Sequence, residues 1–291
     1  VMNFTADSLS GFVIRDGGVL TMGGFTMNLP TDGTGAIKTA SPYGKNIWNS
    51  SSPTAIEVRG NVSTLINYEA IVIHGFPIGL VSWMEGRYCC GGLSVDTAQV
   101  GILAYESGYI RCSRCSISAT GDANIGVGGA VSSGSNALII IDGAEVNNIS
   151  GYGFYAYIGG IISAHPATIT STVVNGGACV QAQDQGFIDL NSVALLNNCA
   201  DGVVASAGEV RLNRTTISNT TTSPNANPAG RIFGDNNTIT NATTSDRAVV
   251  GGIFYLIITA SNLTNAVSIS VFSTGLDSNG FSWLGGSVYI H

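Results

Sequence analysis

Apolar and polar residues alternate in short runs through much of the chain, and these runs return at regular intervals. Between Gly101 and Asn219 an alanine recurs within a short apolar run and is followed by a glycine-containing turn. The anchor alanines are Ala104, Ala130, Ala156, Ala182 and Ala205, separated by 26, 26, 26 and 23 residues. A short period built from alternating residues predicts a solenoid, in which each coil of strands stacks on the next.

Each repeat contains three alternating runs, which predicts three strands per coil with residues i and i+2 on one face. The inward positions expected in the second run are Ile110/Cys112, Leu138/Ile140, Ile162/Ala164, Ile188/Leu190 and Val210/Leu212. Those expected in the third run are Cys115/Ile117, Ala144/Val146, Ala167/Ile169, Val193/Leu195 and Thr215/Ile217. Since paired strands lie about 4.8 Å apart, each strand is expected to pair with its equivalent one coil away.

The predicted fold class is therefore all-β, a right-handed parallel β-helix with three strands and 22–26 residues per coil. A small C-terminal β-rich trimerisation or cap module is expected to follow it. The predicted domains are an N-terminal entry or cap region (residues 1–55), the parallel β-helix (56–220), a linker (221–248) and a C-terminal antiparallel β module (249–291).

The linker is predicted from two prolines between Thr221 and Gly230. Three strands are expected after it, at Ile253–Ala260, Ala266–Phe272 and Phe281–Ile290. A module of about 43 residues rarely buries enough surface to fold alone. We therefore expect three copies to fold together and to cover the open end of the solenoid, which would otherwise expose a pairing edge.

Composition narrows the function. The chain has 291 residues, a formal net charge of −7 and only 10% charged residues. Nucleic acid is not an expected partner, because binding to a phosphate backbone needs a cluster of Lys and Arg. No apolar run approaches the length of a transmembrane helix, and no signal peptide is recognisable, so membrane insertion is not expected. No cofactor is expected either.

The chain contains six cysteines, and those in the repeat at Cys112 and Cys115 are predicted to be core thiols. Cys112 and Cys115 have the spacing of a redox or metal pair, but both fall on predicted inward positions, and Cys90 falls in the column of Cys112. A free cysteine behaves as a small buried apolar residue. No histidine has the spacing to complete a zinc site, so no metal site is predicted. Unpaired thiols are consistent with assembly in a reducing cytoplasm.

A right-handed parallel β-helix with alanine-anchored coils, buried cysteines, few charges and a short β-rich C-terminal module resembles the tailspikes and tail fibres of tailed bacteriophages. The resemblance covers roughly Ile56 to Ile217 by repeat and Val249 to His291 by position and type. It is architectural and rests on no shared sequence motif. It implies a homotrimer in the virion tail, assembled in the host cytoplasm beside other tail proteins, that recognises host-surface polysaccharide. Many such proteins also cleave it.

The predicted glycan-binding residues lie on the outer face of the coils. Trp83, Tyr105 and Tyr157 each follow an anchor position, so Trp83 and Tyr105 are expected one coil apart as a platform for sugar rings. Arg87 and Tyr109 are expected to stack in the next outward column, within cation–π distance. The same aromatic stack is also consistent with stiffening of the solenoid or with packing at a trimer interface.

Two carboxylates in the turns beyond this platform, Glu85 and Glu106, are the candidate catalytic residues. A glycoside hydrolase needs two carboxyl groups about 5–5.5 Å apart for retention or about 6.5–9.5 Å apart for inversion, and neighbouring coils allow such a separation. Whether the chain is an enzyme stays open. The alternatives to a glycan-binding tail protein are a polysaccharide-degrading enzyme of pectin-lyase-like fold and a purely structural virion spacer.

Overall fold

The computed structural model describes residues 2–3, 10–29, 54–119, 128–147, 151–170, 177–190, 194–221, 224–240, 247–248, 253–258 and 270–271. These residues form β-strands and turns, and no helix occurs among them.

The strands begin with β1 (Met2–Asn3), β2 (Phe12–Ile14), β3 (Val19–Met22), β4 (Phe25–Asn28), β5 (Thr54–Arg59), β6 (Thr64–His74), β7 (Ile78–Trp83), β8 (Arg87–Ala98), β9 (Val100–Tyr105) and β10 (Tyr109–Cys112). They continue with β11 (Cys115–Ala119), β12 (Gly128–Ser133), β13 (Leu138–Ile141), β14 (Ala144–Asn147), β15 (Tyr152–Tyr157), β16 (Ile161–Ala164), β17 (Ala167–Thr170), β18 (Ala178–Gln183), β19 (Phe187–Leu190) and β20 (Ala194–Asn197). The last are β21 (Asp201–Ser206), β22 (Glu209–Asn213), β23 (Thr216–Ser218), β24 (Asn225–Ala226), β25 (Arg231–Thr240), β26 (Arg247–Ala248), β27 (Ile253–Ile258) and β28 (Ser270–Val271).

The strands wind into a right-handed parallel β-helix, as the sequence predicts. The first strand of each coil belongs to an eleven-stranded parallel sheet that includes β5, β7, β9, β12, β15, β18 and β21. The second and third strands belong to a seventeen-stranded sheet. The long strands β6, β8 and β25 each cover the second and the third strand position of their coil. Each strand pairs with its equivalent one coil away, so the backbone hydrogen bonds run along the solenoid axis.

The anchor column lies in the core, with one correction. It consists of Ser82, Ala104, Ser132, Ala156, Ala182, Ala205 and Ala226, all fully buried. Ala130 was predicted in this column but pairs with Ile102 and Phe154, two residues earlier on the strand. Ala130 is still buried in the core. Positions i and i+2 share one face, so alternation alone does not distinguish them.

Two predicted inward pairs are wrong by one residue. In β13, Ile139 and Ile141 face the core of the solenoid. Leu138 and Ile140, which were predicted to face inward, face outward. In β20 the core positions are Ala194 and Leu196, and Leu195 is 39% exposed; Val193 lies outside the described residues. Both runs contain consecutive aliphatic residues, and a one-residue shift moves every side chain to the opposite face.

The parallel ladder extends beyond Thr220, the residue at which the sequence analysis ends the solenoid. Arg231–Thr240, within the predicted linker, pairs with both β22 and β23. Ile253–Ile258 pairs parallel with β25, so the antiparallel pairing predicted for this strand is wrong. The short strand β24, which precedes β25, was hard to recognise because Pro224 and Pro228 flank it. The strand predicted at Phe281–Ile290 lies outside the described residues, and the domain division stays a prediction.

Glycine is required four residues after five of the anchors, because two coils approach closely there. These anchors are Ser82, Ala104, Ala156, Ala182 and Ala226. A Cβ built on Gly108 would lie 1.8 Å from the carbonyl oxygen of Ser82 in the preceding coil. The same holds at Gly86, Gly160, Gly186 and Gly230, where the nearest backbone oxygen would be 2.1 or 2.2 Å away. None of these five adopts positive φ. Glycine therefore serves coil stacking here and not turn geometry.

Candidate functional site

The outer face of the eleven-stranded sheet carries the predicted aromatic platform. Trp83 and Tyr105 are register partners on β7 and β9, one coil apart, as expected. Both side chains are half-buried. Tyr157 lies in the same column two coils beyond Tyr105, with Ser133 between them. The three aromatic rings thus belong to one column, which is interrupted by a single small polar side chain.

These rings rest on a second apolar cluster, separate from the core inside the solenoid. Its buried members are Ile78, Val81, Val100, Leu103, Val131, Tyr155 and Tyr157, and its partly buried members are Trp83, Tyr105, Tyr152 and Ile158. Packing against the buried members restrains the rings of Trp83, Tyr105 and Tyr152. These rings are only partly buried, so part of each ring remains available to a ligand. A ligand that binds here would therefore find the rings already positioned.

A buried carboxylate holds the first ring of the platform. Glu57, on the outer face of β5, is only 3% exposed. The indole Nε1 of Trp83 donates a hydrogen bond to Glu57 Oε1 at 3.0 Å, and Arg59 NH1 lies 3.2 Å from the same oxygen. The Arg59 guanidinium also lies 5.7 Å from the centre of the Trp83 ring. A charge buried this deeply needs such partners, and here they fix both the position and the tilt of the indole.

Three tyrosines stack at the other end of the platform. The rings of Tyr152 and Tyr155 are 4.8 Å apart and those of Tyr155 and Tyr157 are 5.7 Å apart, all nearly parallel. The Tyr155 hydroxyl lies 3.1 Å from Gln183 Oε1. Burial raises the pKa of the Tyr155 phenol well above its usual range, and the neighbouring phenols and Asp184 raise this pKa further. The Tyr155 phenol is therefore uncharged at neutral pH, and this end of the platform offers ring faces and the Gln183 amide beside the Asp184 carboxylate.

The other predicted residues meet at the turn beside the platform. A groove of about 700 Å³ is lined by Glu85, Arg87 and Tyr109 together with Val62, Cys89 and Ser107. Arg87 and Tyr109 are register partners in adjacent coils, as predicted. A smaller depression of about 190 Å³, lined by Tyr105 and Glu106 among others, adjoins the groove at Ser107. The two candidate carboxylates thus belong to neighbouring depressions.

The turns that carry these carboxylates have an unusual backbone. Glu85 and Glu106 have positive φ angles of 68° and 41°, and Met84 and Ser107 are also in the left-handed region. The backbone N–H of Met84 donates to Glu106 O at 2.9 Å, so Glu106 lies opposite Met84 and not opposite Glu85. The left-handed conformation costs a non-glycine residue about 1–2 kcal/mol, and the bonds between stacked turns offset this cost. The roles of Glu85 and Glu106 stay predictions.

A disulfide was not foreseen from the sequence. Cys179 and Cys199 form a disulfide bond. Cys112 and Cys115 are buried, as predicted, and neither belongs to the disulfide. The spacing of Cys179 and Cys199 resembles no motif, and only the winding of the chain brings a strand start and the next corner together. Within the described residues no group of three or more His, Cys, Asp or Glu side chains is arranged to hold a metal ion.

We compared the chain with protein-family models, with curated proteins and with solved structures, and none of the three comparisons found a match. The part of the chain that the structure describes contains no helix with the length and apolar character needed to cross a bilayer.

Two features of the site were not predicted from the sequence, namely Glu57 and the tyrosine stack. Glu57 stands between two inward residues, Ile56 and Val58, so alternation marks it as outward. Its burial and its contacts follow from residues in the next coil and from Arg59. The signal available in the sequence was the pair Glu57/Arg59 on one face of a strand, one coil before Trp83.

Proposed function

We propose that this protein is a homotrimeric β-helix of a bacteriophage tail fibre or tailspike, which binds host-surface polysaccharide through the platform formed by Trp83, Tyr105 and Tyr157. The β-helix fold is compatible with a polysaccharide-binding or polysaccharide-degrading protein. One fold can host many functions, so the proposal depends on the residues of the platform.

The observation that carries the proposal is the pair of half-buried rings, Trp83 and Tyr105, in register on adjacent coils above an apolar support. Apolar faces of sugar rings pack against aromatic rings for the same reason that other amphipathic groups do: burial of C–H surface is favourable while the hydroxyl groups stay hydrated. The neighbouring groove adds Arg87 and Tyr109 as hydrogen-bonding groups. A few polar groups beside an apolar surface are typical of ligand sites.

Binding to arrayed bacterial capsular and lipopolysaccharide glycans tests the proposal. We expect Trp83→Ala and Tyr105→Ala each to weaken binding of the glycan found by at least about tenfold, which corresponds to about 1.4 kcal/mol. Leu195→Ala is the matched control, because Leu195 is an exposed apolar residue on the seventeen-stranded sheet, away from the platform. Absence of any glycan ligand would favour a structural spacer.

Trimer formation and cleavage need separate measurements. Multi-angle light scattering of the intact chain should give three times the mass of one chain, 29.8 kDa, and deletion of residues 249–291 should abolish the trimer if that module clamps it. Cleavage is a further hypothesis, in which Glu85 and Glu106 act as acid and base. Glu85→Gln and Glu106→Gln should then stop shortening of the polysaccharide without changing the oligomeric state. Retained cleavage in both variants would remove these residues from the mechanism.

A further inference from the structure

A second groove lies on the seventeen-stranded sheet. It has a volume of about 680 Å³ and is lined by residues from Tyr68 on β6 to Thr168 on β17. Residues that line the groove are register partners in adjacent coils, Gly92 with Ala70 and Glu145 with Thr168. The groove therefore runs along the axis past five successive strands, a distance of roughly 19 Å at 4.8 Å per strand.

Tyr68 stands at one end of this groove with 74% of its surface exposed, the largest exposure of any large apolar residue described. The register of β6 shifts between Asn67 and Ala70, and this bulge turns Tyr68 away from the sheet. The bulge is fastened by two hydrogen bonds. The Asn67 amide donates to the Glu69 carbonyl oxygen, and the backbone N–H of Gly24 donates to Glu69 Oε2 at 2.8 Å. Bulges that re-aim a side chain are typical of functional sites.

The bottom of the groove near Tyr68 carries little side-chain bulk. Gly91 and Gly92 lie there, and a Cβ on Gly91 would come within 2.8 Å of the Tyr68 carbonyl oxygen. Next to them the outward column continues with the small hydroxyl side chains of Ser94 and Ser116. A ligand can therefore lie close to the sheet beside the Tyr68 ring, with hydroxyl groups within its reach.

Arg114 supplies positive charge in the middle of the groove. Its side chain is exposed, and none of the ion pairs found among the described residues involves it. The chain has 11 basic and 18 acidic residues, so Arg114 is one of few positive charges that a ligand can meet. The planar guanidinium matches a carboxylate in two parallel hydrogen bonds. Glu145, one coil further, accepts a hydrogen bond from Asn147 and retains oxygen atoms for hydroxyl donors.

We infer that this groove, defined by Tyr68, Arg114 and Glu145, binds a segment of a linear acidic polysaccharide lying parallel to the solenoid axis. One sugar ring stacks on Tyr68, a sugar carboxylate pairs with Arg114, and hydroxyl groups of the next sugar donate to Glu145. The inference shares with the proposed function only the class of ligand, because the groove and the Trp83 platform lie on different sheets.

Isothermal titration with size-defined oligosaccharides tests this site in the intact protein. The probes are linear oligomers of galacturonate, hyaluronan and polysialic acid, each paired with its carboxyl-reduced counterpart. We expect at least one acidic oligomer to bind and its reduced counterpart to bind at least about tenfold more weakly, the effect of losing a charge-assisted pair. Failure of all three acidic oligomers to bind would overturn the inference.

Four variants locate the binding. Arg114→Gln and Tyr68→Ala should each weaken the acidic oligomer at least about tenfold, whereas Tyr68→Phe, which keeps the ring, should bind as wild type. Arg231→Gln is the matched control, because Arg231 is an exposed arginine on β25 and lines neither groove. Thermal melts of all variants verify folding. If Arg114→Gln binds within twofold of wild type, the groove is not the site; if Trp83→Ala then abolishes binding, the proposed function survives without this inference.

Discussion

Adding one methyl group at Gly108 tests the close coil stacking on which the fold depends. The new Cβ would lie 1.8 Å from Ser82 O and 2.4 Å from Ser82 C, both backbone atoms of the preceding coil. Ordinary contacts of a Cβ begin at 3.4 Å, so the two coils would have to separate by more than an ångström. The hydrogen bonds of this turn, Gly108 N to Tyr105 O and Tyr109 N to Gly86 O, would be stretched or lost.

Overpacking of a well-packed interior costs about 1–3 kcal/mol, and each backbone hydrogen bond lost adds about 1 kcal/mol. We therefore expect Gly108→Ala to lower the free energy of unfolding by about 3–5 kcal/mol. At about 2 °C per kcal/mol for a chain of this size, Tm should fall by roughly 6–10 °C. The damage should be local, because each coil contacts only its neighbours. Amide exchange should therefore accelerate most near Ser82 and Gly108.

The assay is a thermal melt followed by far-UV circular dichroism, with hydrogen exchange on the folded protein. Gly92→Ala is the matched control, since Gly92 is buried in a strand but its Cβ would meet no atom closer than those of Ala70 at 3.7 Å. That variant should be neutral or gain up to about 1 kcal/mol, because alanine restricts the unfolded chain. If the two variants melt together, glycine is not needed for coil contact and the account of the turns is refuted.

Three further predictions concern Glu57, the disulfide between Cys179 and Cys199, and the buried phenol of Tyr155. Glu57→Ala should lower the free energy of unfolding by about 2 kcal/mol and shift Trp83 fluorescence to the red, because the indole N–H loses its carboxylate acceptor. Glu57→Gln keeps an acceptor and should retain the wild-type emission. Equal spectra for the two variants would contradict this prediction. Replacing Cys179 and Cys199 by Ala should lower the free energy of unfolding, measured by chemical denaturation, by about 3 kcal/mol, because the disulfide restricts the unfolded chain. Wild type in reductant should have the same stability as this variant. Since burial raises the pKa of Tyr155, the unfolded state loses this proton first, and stability should fall as pH rises above about 10. Tyr155→Phe should show a shallower fall in urea midpoint, and identical slopes would argue against the assignment.

Alternation and period were enough to predict the solenoid because both follow from backbone geometry. A strand repeats every two residues, and a coil needs a nearly constant number of residues to return to the same column. The slips at Ile139 and Leu196 occur where several aliphatic residues follow one another, so the sequence contains no polar marker for the outer face. The missed coil at Ala226 lies between two prolines, where the strand is short.

The candidate site was predictable only to the level of columns. Trp83 and Tyr105 fall one coil apart by counting residues, and the structure pairs them. Counting does not reveal that Glu57 is buried beneath Trp83, because its environment comes from a neighbouring coil. It also does not reveal the groove at Tyr68, since a bulge changes the register of β6 and no alternation rule specifies where a bulge occurs.

The amino-acid sequence by itself determined the all-β class, the parallel stacking, most of the inward columns and the outward position of the aromatic rings, because these depend on local periodicity. Only the tertiary structure decided which coil each turn contacts, which carboxylate is buried, which cysteines are joined and where grooves form. These properties depend on side chains about 20 or more positions apart in the chain that meet across one 4.8 Å step of the solenoid.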